Sequence, residues 1–189
     1  MQLKDKTILF LGSSVTYGYA SGGVSFADVM AEQYGCISVK EAVSGTTLAD
    51  LDDTSYVARM KRMDKSIKAD LFVCQLSTND ATKNIDMDLI EAAIREILEY
   101  AAATWHCPIL FYTGTRYDSP QYFEMIKLLE RMSEEYDFDI LDLWTDPKMC
   151  SVSDEDYARY MKDPIHPTLE GYRDWWTPKF VEFIENISE

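Results

Sequence analysis

The sequence predicts an α/β fold: a three-layer α/β/α sandwich around a five-stranded parallel sheet of flavodoxin-like order 2-1-3-4-5, with right-handed crossovers. Three observations carry that expectation. Two runs, Thr7 to Leu11 and Asp70 to Leu76, are almost continuously apolar, as strands buried on both faces are. Segments with apolar residues at helical spacing separate the strand-like runs. Each strand-like run then gives way to a polar loop, so the loops should meet along one rim of the sheet.

Strand one, Thr7 to Leu11, stops at Gly12, whose backbone is free to turn sharply out of the sheet. Ser14 follows, at the carboxyl end of a central strand, where open α/β sheets place their ligands. Ser25 is an N-cap for a helix over residues 26–34, and Gly35 stops it. Strand two, Ile37 to Val43, is shorter and more polar, as suits a position near an edge, and the loop 44–48 leaves it. A helix over Tyr56 to Lys68 carries Val57, Met60, Met63 and Ile67 on one side, interleaved with basic residues.

Strand three, Asp70 to Leu76, ends in Ser77-Thr78-Asn79-Asp80. Asp86 to Trp105 is the clearest helix, its period marked by Leu89, Ile90, Ala93, Ile94, Ile97, Leu98 and Ala101. Strand four, Pro108 to Tyr112, leads into the loop 113–120. A helix from Tyr122 to Tyr136 places Phe123, Ile126, Leu129 and Met132 together. Strand five runs from Phe138 to Leu143. A short acidic helix, Ser153 to Met161, precedes the final helix, Thr168 to Ile187, which Pro178 should kink or break.

Composition narrows the function. A chain of 189 residues fits one domain, 1–189, and its 47% hydrophobic content suits a globular core. There are 33 acidic and 18 basic residues, a formal net charge of −15. That balance argues against nucleic acid and anionic membranes as partners. Cys36, Cys74, Cys107 and Cys150 show no metal-ligand spacing and read as reduced thiols. With only His106 and His166 present, no metal site is expected. His106 ends the long helix, where a histidine complements the dipole. The start of the chain has no signal-peptide layout and no apolar segment is long enough to span a bilayer, so the expected location is cytoplasmic. A homo-oligomer stays open.

One loop stands apart. Lys162-Asp163-Pro164-Ile165-His166-Pro167-Thr168 places an Asp and a His three residues apart, with prolines on either side of the Ile165-His166 pair. Such prolines hold a rigid extended turn that could present both polar side chains to one site. Read singly, Ser14 is as well explained as a helix cap, His166 as a surface histidine, and Asn79 and Asp80 as turn and cap residues.

Read jointly, four blocks resemble those of the SGNH hydrolases, also called GDSL-like esterases and lipases. They are Gly12-Ser13-Ser14-Val15-Thr16-Tyr17-Gly18, Val43-Ser44-Gly45-Thr46-Thr47, Ser77-Thr78-Asn79-Asp80 and Asp163-Pro164-Ile165-His166-Pro167. They occur in the family's order and span nearly the whole chain. The resemblance implies Ser14 as nucleophile, His166 as its base and Asp163 as the residue that orients the imidazole. It implies an oxyanion hole from the backbone N–H of Ser14, the backbone N–H of Gly45 and the side-chain amide of Asn79. Ser13 stands where the family has Asp, outside the proton relay. Ser77 stands where the family has Gly, which should narrow the site beside Asn79. Position 16 is Thr, so the Gly-x-Ser-x-Gly elbow of ordinary α/β-hydrolases is absent.

The resemblance therefore implies a serine esterase acting through an acyl-enzyme, without cofactor or metal. The expected substrate is a short-chain ester, such as an O-acetyl group on a carbohydrate or other small molecule. Arg116 and Tyr117 on the rim, and Tyr17 beside the nucleophile, are candidate substrate contacts; Tyr17 and Tyr19 could equally shape the acyl pocket or pack as caps. A lysophospholipase or thioesterase of the same family is the enzymatic alternative and would need a long apolar channel. A non-catalytic, flavodoxin-like small-ligand module is the alternative of another class. Nucleotide binding is disfavoured, because neither Gly-x-Gly-x-x-Gly nor a P-loop is present.

Overall fold

The computed structural model describes residues 1–187. In chain order the elements are β1 (Thr7–Gly12), α1 (Ser14–Tyr17), α2 (Phe26–Tyr34), β2 (Ile37–Ala42), α3 (Tyr56–Arg62), β3 (Leu71–Gln75), α4 (Thr78–Thr82), α5 (Met87–Trp105), β4 (Ile109–Tyr112), α6 (Pro120–Ser133), β5 (Asp139–Leu141), α7 (Pro147–Cys150), α8 (Asp154–Tyr160), α9 (Leu169–Gly171) and α10 (Thr177–Asn186). The sheet has the expected order β2-β1-β3-β4-β5, and every neighbouring pair is parallel. The polar strand β2 lies at an edge, as its composition predicts.

Strand alternation divides the core into two layers. Leu9 and Leu11 of β1, Phe72 and Cys74 of β3, and Phe111 of β4 pack on one face with α3, α5 and α6. Ile8, Phe10, Val73, Leu110 and Tyr112 point to the other face, against α2 and α10. Phe26 of α2 stacks on Phe180 of α10 at 3.9 Å between ring centroids. This sandwich turns the carboxyl ends of all five strands to one rim.

Local chemistry sets the helix ends. Ser25 and Asp28 form a reciprocal capping box on α2, and Gly35 closes it in the left-handed region at φ 71. His106 ends α5 at φ 51, the helix-end position expected for it.

Several boundaries differ from those the sequence predicts. α3 ends at Arg62 rather than Lys68, because Asp64 accepts from the backbone N–H and hydroxyl of Ser66 in a turn that competes with the helix. α6 begins earlier, at Pro120 behind a Ser119 cap; Met125 and Leu128 join its buried face, while Phe123 is exposed. β5 is only Asp139–Leu141, since the Asp142 carboxylate turns the chain by accepting from Trp144 N–H at 2.9 Å. α4 is a short helix where Asn79 and Asp80 also read as turn and cap residues, and α7 is a further short helix between β5 and α8. The last helical stretch is broken by a π turn, Tyr172–Trp176, just before α10. Pro178 in the first turn of α10 offers no N–H, so the ladder loosens one turn upstream.

All four cysteines are free thiols, with Cys36 and Cys74 buried. Among the described residues no helix is long and apolar enough to cross a membrane.

Candidate active site

Gly12 is needed for space rather than for the freedom to turn. A Cβ there would lie 1.8 Å from Thr16 Oγ1, and the residue does not have a positive φ. The close approach lets α1 sit directly on the end of β1 and lifts Ser14 onto the rim, where it is 6% exposed. Gln75 at the end of β3 organises the turn. Its side-chain amide oxygen, Oε1, accepts from Ser13 N–H at 3.0 Å and from the Thr16 hydroxyl at 2.9 Å. The Thr16 hydroxyl also shares a 2.6 Å hydrogen bond with Tyr112 of β4. Three adjacent strands thus hold the serine turn through one buried polar network.

His166 reaches this turn from the loop before α9. Its Nε2 lies 2.8 Å from Ser14 Oγ, although 152 positions separate the two residues. Its Nδ1 lies 2.8 Å from Asp163 Oδ2 and 3.0 Å from Oδ1. An ionised carboxylate only accepts, so Nδ1 carries a proton, and in the tautomer with that single proton Nε2 presents its lone pair to the serine. Asp163 Oδ1 also accepts from the backbone N–H groups of Ile165 and His166, at 2.8 and 2.9 Å. The carboxylate therefore shapes the turn and aims the ring at once. A hydroxyl, an imidazole nitrogen and a carboxylate hydrogen-bonded in this order can transfer a proton from the hydroxyl to the ring.

Burial works against the Asp163 charge, but the His166 ring and the two backbone N–H groups outweigh it and hold the carboxyl below its ordinary value. A depressed folded value means the associated stability is complete above the unfolded carboxylate pKa of about 3.9 and is lost as pH falls through the folded one. Asp163→Asn should accordingly flatten the acid limb of stability below about pH 4, which thermal melts from pH 2.5 to 7 would reveal. An acid limb as steep as wild type would remove Asp163 as its source.

The loops after β2 and β3 close the other side. Asp80 is buried and accepts from Leu48 N–H at 2.8 Å and Ala49 N–H at 2.9 Å. Burial raises its pKa, with the hydrogen bonds opposing that rise. Asn79 donates one amide hydrogen to Thr46 O at 2.9 Å, leaving the second. Gly45 sits in the left-handed region at φ 82, and Lys83 donates to its carbonyl at 3.0 Å. Ser77 does not narrow the site as expected: its side chain is buried and accepts from Asn79 N–H at 3.2 Å, capping α4 from inside.

Arg59 of α3 ties these loops to the strand ends. It is 5% exposed and donates to Gly12 O at 2.8 Å, Thr54 O at 2.9 Å and Thr46 Oγ1 at 3.1 Å. Neither Arg59 nor Gln75 is a candidate on sequence grounds. The only signal for Gln75 is a polar residue on an otherwise apolar strand, and Arg59 is one of several basic residues on its helix, with nothing local to single it out.

The candidate substrate contacts are placed unevenly. Tyr17 turns its ring toward Gly23 and Lys40, whose ammonium is 5.8 Å from the ring centroid. Arg116 and Tyr117 line a cleft of about 620 Å³ with Trp144 and Phe123. Arg116 also borders one of about 370 Å³ with Tyr157 and Trp175. Ser14 and His166 line neither cleft. The aromatic ring against His166 is Tyr19, at 5.1 Å between centroids. Among the described residues no three His, Cys, Asp or Glu side chains are grouped to hold a metal ion.

Residues 10–173 match the model of the GDSL-like Lipase/Acylhydrolase family. A search of curated proteins finds no match. Solved structures share the fold. A protein from Lactobacillus plantarum superposes with a TM-score of 0.82 at 20% identity, covering 98% of this chain and 99% of that one. A member of the lipolytic protein G-D-S-L family from Veillonella parvula gives 0.75 at 16% identity, covering 96% and 100%. Axe2, an acetylxylan esterase from Geobacillus stearothermophilus, gives 0.74 at 17% identity, covering 100% and 98%.

Proposed function

We propose a function from one premise: the chain belongs to the GDSL-like Lipase/Acylhydrolase family and is a carboxylic ester hydrolase. Within that class we read it as a serine esterase acting on short-chain esters, with O-acetyl groups on carbohydrates as the preferred substrates. The observation that carries the mechanism is the 2.8 Å contact between Ser14 Oγ and an imidazole whose far side is held by Asp163.

In this reading Ser14 Oγ attacks the ester carbonyl while His166 Nε2 takes its proton. The tetrahedral intermediate carries a full negative charge on the former carbonyl oxygen. The N–H of Ser14, the N–H of Gly45 and the remaining amide hydrogen of Asn79 are the donors assigned to it. Ser14 opens a helix, so its N–H has no acceptor within that helix. His166 then gives the proton to the departing alcohol, leaving an acyl-enzyme on Ser14. Water, deprotonated by the same ring, releases the acid. These steps need no cofactor. The acetyl preference is supported by the shared fold of an acetylxylan esterase.

The test is an acyl-length series of p-nitrophenyl esters followed by acetylated sugars, with fluorophosphonate labelling of Ser14 at neutral pH. Turnover falling sharply beyond short acyl groups supports the reading. A preference for long chains would favour a lysophospholipase or thioesterase, and an unlabelled serine a binding module. Asn79→Ala should lower kcat by roughly 10²–10³ with a smaller change in KM, as loss of one oxyanion donor does. Steady-state kinetics on p-nitrophenyl acetate checks this, and an unchanged kcat would take Asn79 out of the oxyanion site.

A further inference from the structure

We propose that Tyr19 is the surface that receives the alcohol half of the ester, and that this alcohol is a neutral pyranose presenting a flat C–H face. The inference rests on the serine-esterase reading above and adds a direction to it. In acyl transfer the general acid protonates the leaving oxygen, so the alcohol must depart past the nitrogen that donates. That nitrogen is Nε2 of His166, and the aromatic surface beside its ring is Tyr19, 5.1 Å away and inclined at 53°. On this assignment Tyr19 borders the alcohol rather than the acyl group.

The ring is also presented to solvent. Tyr19 is 62% exposed, the most exposed of the large apolar side chains among the described residues. Leaving an aromatic face in water forgoes the stabilisation its burial would bring. The backbone beneath it is nonetheless well anchored. Gly18 sits in the left-handed region, and a Cβ there would lie 2.5 Å from the backbone of Val24. Ser21 N–H and Gly23 N–H both donate to Gly18 O, at 3.1 and 2.9 Å. Lys40 Nζ clamps the segment from β2 through Gly23 O at 2.9 Å and Tyr17 O at 3.2 Å. An anchored, solvent-facing ring beside a general acid suits a ligand with its own flat apolar face and peripheral hydroxyls. The formal charge of −15 disfavours an anionic alcohol such as a phosphate headgroup.

The test compares two esters with the same acyl group, a peracetylated methyl pyranoside and ethyl acetate, on wild type and on Tyr19→Ala, Tyr19→Phe and Tyr19→Trp. The readout is the ratio of kcat/KM for the pyranoside to that for ethyl acetate. Tyr19→Ala should lower this ratio about tenfold, while Phe and Trp keep it within about twofold of wild type. A ratio unmoved by Tyr19→Ala overturns the proposal. That holds whether both activities fall together, as they would if the ring only positioned His166, or neither changes. The parent reading fails differently: wild type would hydrolyse neither ester and take no fluorophosphonate on Ser14, and the Tyr19 proposal would fall with it.

Discussion

Ser14→Ala is expected to abolish hydrolysis of p-nitrophenyl acetate, lowering kcat on the order of 10⁴-fold or more. The substitution removes one oxygen from a nearly buried position at the start of α1 and leaves a methyl group that fits the same space. The lost hydrogen bond to His166 is worth only about 1 kcal/mol, so the thermal midpoint should move little. His166→Ala should cost as much, and the double variant little more than either alone. Groups that act on one proton transfer fail together. Retained turnover in Ser14→Ala would remove that hydroxyl from the mechanism, whatever the imidazole does.

The second large effect concerns stability. Arg59→Ala should destabilise the fold by about 3–5 kcal/mol, because it strips donors from two buried acceptors, Gly12 O and Thr46 Oγ1, that have no water to replace them. Gly12 O, Thr54 O and Thr46 Oγ1 would all lose their guanidinium. The pair with Glu41, at 3.1 Å, contributes less, since that carboxylate is partly solvated. In a chain of this size the loss corresponds to a fall of about 10 °C in Tm. Urea titration and thermal melts would measure it. Arg59→Lys should recover only part, because an ammonium cannot reach Gly12, Glu41 and Thr46 from one planar fork. Because Gly12 leads into the Ser14 turn, kcat should also fall at temperatures where the variant stays folded. An alanine variant as stable as wild type would mean that Gly12 O and Thr46 Oγ1 find water, against their burial.

Much of the fold was legible because its signals are local. The apolar run ending at Leu11 and the one ending at Leu76 could satisfy their burial only as central strands. The polar Ile37–Ala42 segment belonged at an edge, and its pairing with β1 places it there. Ser25 and Gly35 announced both ends of α2. Other features turn on which way a side chain faces after packing. Gln75 reads as the tail of an apolar strand, yet alternation points it at Thr16. Arg59 reads as one more basic residue on a helix, yet it faces inward. Ser77 reads as an obstruction, yet its hydroxyl is spent on a cap.

By itself the sequence determined the order of strands and helices, the rim on which the loops gather, and the four short blocks that belong there. Hydrophobic period and capping chemistry act over a few residues, so a single chain carries them in plain view. Only the tertiary structure decided which polar groups touch. It brought residue 166 within a hydrogen bond of residue 14. It also sent Tyr17 toward Lys40 and Tyr19 toward His166, with Gly18 between them in the left-handed region. Contacts of that kind need positions fixed to a fraction of an ångström, and two packed layers supply that precision where local preference cannot.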